Sequence, residues 1–182
     1  RYSLRGAYPN VRNSIFQIGF PSPTRYRCPL PVFHCTGWCH PWAVTAAAGV
    51  HVCLRAVRAD TMWQSIDEHA VSHLSGAPVV LSTLTSAEQA HHLQRALTIT
   101  TAGAPPSPAI IKKVRSLGAT VNHVYGLTET YGPYSICEVQ PDWTGLDSED
   151  LSARLARQGV GMLCSDEMRV VRTGTEPGQP LV

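Results

Sequence analysis

Apolar positions along this chain recur at three- and four-residue spacing in some stretches and form short unbroken runs in others. Val11, Ile15 and Ile18 stand at helical spacing and predict a helix within residues 7–20 that ends near Gly19. The Pro-rich stretch 20–34 closes with "CPLPVFH", which reads as a short buried strand feeding a loop. "PWAVTAAAGV" predicts a small-residue helix closed by Gly49, and "HVCLRAV" (51–57) alternates like a strand. Asp60 is placed to cap a helix over 60–74, with Met62, Ile66, Ala70 and Leu74 along one face. "APVVLSTL" is apolar without a decisive period, and Ser86 is placed to cap a helix over 87–96.

The second half continues the alternation. "LTITTAG" predicts a strand ending in Gly103, and Pro108 opens an amphipathic helix closed by Gly118. "ATVNHV" predicts the next strand, and "YGLTETYGP" a loop beyond its C-terminal end. Farther on, "DSEDLSARLARQG" predicts a short helix with an acidic start, and "MRVVRTGTEPGQPLV" a strand and then a Gly/Pro turn. Strand, helix and strand in turn predict an α/β fold, a parallel-rich sheet covered by helices. Ligands of such sheets bind beyond the C-terminal strand ends. "TTAGAPP" and "YGLTETYGP" both fall on that edge.

Composition narrows the function classes. The 182 residues are 43% apolar and 15% charged, a globular balance with length for a core. The net charge of +2 is spread without a basic stripe, so no nucleic-acid partner is expected. No apolar run approaches ~20 residues, so no membrane span is expected, and "RYSLRG" lacks the apolar region of a signal peptide. Six scattered cysteines predict reduced thiols and a cytoplasmic setting.

The residue types in the two loops suit a nucleotide. Gly126 permits close backbone approach, Tyr125 offers a flat face, Thr128 a hydroxyl for phosphate, and Glu129 a hard carboxylate for Mg²⁺. An ordinary capped turn is the alternative on these residues alone.

The run "HVYGLTETYGP", with "TTAGAPP" upstream, resembles the adenylate-forming (AMP-binding) enzymes. "PLPVFHCTGWCHPW", "GAPVVLSTL" and "ARQGV" are similar to segments of the short- and medium-chain acyl-CoA synthetase branch, which includes methylmercaptopropionate-CoA ligases and plant acyl-activating enzymes. The resemblance implies part of a large N-terminal adenylation domain that uses ATP, Mg²⁺, coenzyme A and a small carboxylic acid. By motif it places Gly103, Ala104, Pro105 and Tyr125 around adenine with His123 beside it, Thr128 at the α-phosphate, and Glu129 on Mg²⁺. It places Gly126 at the acyl carbonyl, and His34 and Trp38 along the acyl channel, His34 also counting among the catalytic residues. Trp38 as core and His34 as a satisfied buried histidine remain alternatives, as does a zinc reading of His34, Cys35, Cys39 and His40. His91 and His92 are expected to be solvated.

The family also carries a Gly/Ser/Thr-rich phosphate loop with Lys, a ribose-binding Asp, and a small C-terminal domain with a catalytic Lys. None is matched here; "VRTGTEPG" has Thr175 where Asp is needed. The expectation is a central portion of the domain, inactive in isolation and marginally stable, with a peroxisomal or other organellar setting open for a eukaryotic source. A truncated remnant or interaction module is the alternative, and the sequence does not address the oligomeric state.

Overall fold

The computed structural model describes residues 3–29, 31–33, 35–172 and 174, with Cys35 and Thr36 described by backbone alone. A seven-stranded sheet in the order β2-β1-β3-β4-β5-β6-β7 forms its centre. The strands are β1 (Arg25–Cys28), β2 (Val50–Cys53), β3 (His73–Ser75), β4 (Thr98–Thr101), β5 (Thr120–Leu127), β6 (Gly132–Cys137) and β7 (Val160–Gly161). The first five in spatial order run parallel; β6 pairs antiparallel with β5 on one side and with β7 on the other. The parallel-rich α/β expectation therefore holds.

Helices cover both faces. On one side lie α4 (Ala59–Glu68), α5 (Pro78–Thr85), α6 (Pro108–Ser116) and α7 (Ser148–Leu155), packed with Leu74, Ile99 and Val121. On the other lie α1 (Leu4–Asn13), which continues as a π-helical turn through Gly19, and α2 (Cys35–Trp38) and α3 (His40–Ala46). Ile18, Phe20, Tyr26, Trp38 and Val44 pack there with Ala102, Val124 and Ile136. The helix expected within 7–20 begins earlier, at Leu4, and carries Ile15 and Ile18 on its π-helical turn, while α6 and α7 form where the Pro108 start and the acidic start predicted them.

Several boundaries differ from the sequence reading. The first strand is "RYRC", not "CPLPVFH". Pro29 and Pro31 have no amide N–H to give to a ladder, so pairing stops at Cys28. Two arginines masked the strand, yet Arg27 is buried with its guanidinium donating to the Cys53 carbonyl at 2.7 Å. Gly49 does not close α3 by a left-handed turn; Ala48 takes that role at φ 53°. Strand β2 is shorter than 51–57.

Asp60 lies inside the first turn of α4 rather than at its cap, where Arg58 stands; the carboxylate accepts from the Thr61 amide at 2.7 Å. This helix ends at Glu68, and Ala70 turns left-handed at φ 48°. Leu74 belongs to the buried strand β3, too short to show an alternating pattern.

"APVVLSTL" forms α5, burying Val80, Leu81 and Leu84. Residues 87–96 form no helix, and Ser86 is the C-cap of α5. That stretch buries Leu93 alone, a single anchor rather than a helical face. His91 and His92 are exposed there, His91 resting on Trp63 with ring centroids 4.5 Å apart. Residues 168–172 are exposed and form no strand; most of the turn expected after them lies outside the described residues.

The N-terminus of α7 is held by Asp147, whose carboxylate accepts from the Glu149 and Asp150 amides, both at 2.8 Å. Asp147→Ala is expected to lower stability by about 1 kcal/mol, read as a shift in the urea midpoint at unchanged slope. An unchanged midpoint would show that the cap contributes nothing.

Candidate functional site

Strand β5 does not stop at Val124. It runs through Tyr125, Gly126 and Leu127, turns over Thr128–Tyr131, and returns as β6, so "YGLTETYGP" is a β-hairpin rather than an open loop. The register shifts between Tyr125 and Gly126. A Cβ on Gly126 would stand 1.8 Å from the Gly132 carbonyl oxygen, so the two strands cross closely where only glycine fits.

Three side chains fix the hairpin turn. The Thr130 hydroxyl accepts from the Leu127 amide at 2.7 Å and lies within donating distance of the Leu127 and Gly132 carbonyls. Tyr131 takes φ 69°, lies against Gly6 of α1, and hydrogen-bonds through its hydroxyl to the Ser3 carbonyl. The Cys39 thiol donates to the Tyr131 carbonyl at 2.9 Å. Thr128 and Glu129 occupy the exposed tip.

Beside this hairpin, the turn after β4 and the end of β5 enclose a pocket of about 150 Å³. Gly103, Ala104, Pro105, His123, Tyr125 and Gly126 line it, joined by Gln158. Gly103 takes φ 86° and faces open space, so its freedom serves the turn and the cavity rather than packing. The fold thus gathers six of the predicted residues. Thr128 and Glu129 stand on the hairpin tip, outside the pocket lining. Trp38 is buried at 6% exposure in the core cluster with Ala102 and Val124, likewise outside that lining. His34 lies outside the described residues.

His123 carries the site's polarity. It is 1% exposed, and its Nδ1 has no hydrogen-bond partner among the described residues. Burial lowers its pKa below the ordinary histidine value, although the backbone of Arg157, Ala156 and Leu155 at the C-terminal end of α7 pulls it up. The in-register neighbour on β4, Thr101, is also buried with an unpartnered hydroxyl. Buried polar groups are normally satisfied, so the adjacent orphans mark a place for a polar ligand or water.

Sequence reasoning missed Gln158 and Thr130. "ARQGV" stood out only as a segment, and Gly159, at φ 75° with a Cβ position 1.9 Å from the Ile136 carbonyl oxygen, fixes where its glutamine falls. A larger cavity of about 550 Å³ opens between α1 and α3, lined by apolar groups such as Leu4, Val11 and Trp42. Among the described residues its lining carries no buried orphan polar atom, so the smaller pocket is the better-equipped site.

Among the described residues no three His, Cys, Asp or Glu side chains converge to hold a metal. The His40 Nδ1 lies 3.0 Å from the Tyr26 hydroxyl and 2.9 Å from that of Ser75. The Cys39 thiol is on the Tyr131 carbonyl, while the His40 Nε2 is buried without a hydrogen-bond partner among the described residues.

Residues 3–180 match the sequence profile described as AMP-binding enzyme, and the chain belongs to that family. It is 38% identical over 167 residues to "Probable acyl-activating enzyme 5, peroxisomal" of Arabidopsis thaliana, covering 92% of this chain and 30% of that protein. It is 36% identical over 180 residues to the peroxisomal acetate/butyrate–CoA ligase of the same plant, covering 97% of this chain and 31% of the relative. Against the 2-methylpropanoate–CoA ligase of Humulus lupulus it is 37% identical over 167 residues, covering 92% and 30%. The chain thus spans about 30% of the length of these relatives. The same fold occurs in the o-succinylbenzoate coenzyme A synthetase of Bacillus subtilis in complex with AMP, at a TM-score of 0.79 and 21% identity over 98% of this chain and 35% of that one. Among the described residues no helix is long and apolar enough to cross a membrane.

Proposed function

We propose that the chain is the central part of the large N-terminal domain of an ATP-dependent acyl-CoA ligase acting on a short- or medium-chain carboxylic acid. The observation that carries this reading is the pocket in which the buried, unpartnered His123 Nδ1 meets the Gly103–Pro105 turn and Tyr125. Two relatives are named as peroxisomal, which fits a cytoplasmic or peroxisomal enzyme.

In the first step the acid's carboxylate attacks the α-phosphorus of ATP, and the bond to pyrophosphate breaks. In the second the coenzyme A thiol attacks the acyl carbonyl and expels AMP. Positioning and charge stabilisation supply most of the acceleration in such chemistry. Gly103, Ala104, Pro105 and Tyr125 form flat walls for the adenine. Its depressed pKa keeps His123 neutral, and in the tautomer that carries the proton on Nε2 the Nδ1 accepts from the exocyclic amine. Thr128 binds the α-phosphate, and Gly126 leaves space at the acyl carbonyl.

Glu129 fits a Mg²⁺ ligand because Mg²⁺ takes one or two carboxylates and fills the rest of its shell with phosphate oxygens and water. The ion, when bound, neutralises triphosphate charge. His34 and Trp38 remain assigned to the acyl channel; Trp38→Ala in the complete enzyme is expected to shift the preference from butyrate toward longer acids.

The reading is tested by acid-dependent release of AMP and pyrophosphate from the complete protein with acetate or butyrate. Glu129→Gln should lower kcat at least about tenfold while leaving the urea midpoint unchanged, since the side chain is exposed. Product formation without ATP, or full activity in Glu129→Gln, would refute the assignment. The 182-residue chain alone is expected to release no AMP, because it spans about 30% of the relatives' length.

A further inference from the structure

Two cysteines that the proposed chemistry does not use face each other across the sheet. Strands β1 and β2 are parallel neighbours, and Cys28 pairs with Cys53 in direct register at their C-terminal ends. Two residues earlier Tyr26 pairs with His51, and those rings meet edge-on with centroids 6.4 Å apart, so both lie on one face. Side chains two apart on a strand share a face, so Cys28 and Cys53 lie on it too. Directly paired residues sit about 4.8 Å apart, within the ~4.4–6.8 Å Cα separation a disulfide spans. The Arg27 guanidinium, on the opposite face, bonds the Cys53 carbonyl at 2.7 Å and holds the two strand ends together. Both residues are thiols; Cys53 is exposed and Cys28 half-buried.

We propose that Cys28 and Cys53 form a redox-sensitive pair that closes a reversible cross-strand disulfide, with a low-molecular-weight disulfide of the glutathione class as oxidant. The exposed Cys53 thiolate attacks one sulfur of the oxidant, breaking its S–S bond and releasing one thiol. The Cys28 thiolate then attacks the Cys53 sulfur of the mixed disulfide and releases the second thiol. The pair loses two electrons and two protons, and the two released thiols carry them. The product closes a ring around residues 29–52. It fastens the edge strand β2 and encloses α2 and α3, with Trp38 and the Cys39 thiol that holds the hairpin turn. Other described thiols are worse placed: Cys39 and Cys137 are buried on backbone carbonyls, and Cys164 lies in a separate segment after β7.

The full chain is incubated in oxidised glutathione under native conditions, its thiols are counted, and its proteolytic peptides are mapped without reduction. The expected result is loss of two of the six thiols and a Cys28–Cys53 linked peptide. Dithiothreitol should restore the thiols, and Cys28→Ser should yield a glutathione adduct on Cys53 instead. In urea, where register is lost, the cysteines should pair without this preference. Retention of all six thiols, a stable Cys53 adduct without closure, or the same partner distribution in native buffer and urea would overturn the proposal.

Discussion

Gly126→Ala is expected to destabilise the protein by about 3 kcal/mol or more and to abolish nucleotide binding by the complete enzyme. The ideal Cβ would stand 1.8 Å from the Gly132 oxygen, 2.5 Å from its carbonyl carbon and 2.9 Å from the Pro133 Cα. All three are backbone atoms, so no rotamer change relieves the clash. The hairpin must open at the register shift between Tyr125 and Gly126, displacing one wall of the pocket. Gly103→Ala separates this steric cause from backbone strain. No atom lies within 4 Å of its Cβ position, but φ is 86°. A left-handed non-glycine residue costs about 1–2 kcal/mol, so this variant should lose less. Urea midpoints give the ranking, and amide exchange over residues 124–136 reports the hairpin. A Gly126→Ala protein within about 0.5 kcal/mol of wild type would show that the strands separate without cost.

Acidification from pH 6.5 to 4.5 is expected to remove about 2–3 kcal/mol of stability through His40 alone. This residue is fully buried among Phe20, Tyr26 and Trp38. Burial, with a smaller contribution from His73, lowers its pKa from 6.5 to about 3. Between these values the unfolded chain binds a proton that the folded chain refuses. Stability is therefore flat above pH 6.5 and falls as pH drops toward 3. His73 and His123 are shifted down as well, chiefly by burial, and act in the same direction. Urea midpoints at pH 7.5, 6.5, 5.5 and 4.5 measure the slope. His40→Gln should flatten it, although that variant starts lower at pH 7.5 through loss of the Tyr26 and Ser75 partners. Equal wild-type midpoints at pH 7.5 and 4.5 would exclude this role for His40.

Much of the site was legible because its residues lie in two short runs. Gly103–Pro105 and His123–Gly126 are each contiguous, and a parallel sheet puts the ends of adjacent strands on one edge. Gln158 was not legible, since it reaches the pocket through the segment between α7 and β7. Trp38 and Tyr125 are both large aromatics beside glycines, yet the fold buries the first in its core and sets the second on the pocket.

The sequence by itself determined the layered α/β class, the helices that combine period with caps, as in α6 and α7, and the residue set at the sheet edge. Those signals are local: spacing, Pro at helix starts, Gly at turns. The tertiary structure decided β1, β3 and the β5–β6 hairpin. Arg27 becomes a strand residue because the Cys53 carbonyl meets its guanidinium. Leu74 leaves the predicted helix because β1 and β4 offer it ladders on both sides. The hairpin forms because Thr130, Tyr131 and Cys39 satisfy a turn whose partners lie up to 128 residues away in the chain. Such pairings leave no local period, since their stabilisation comes from groups that only folding brings together.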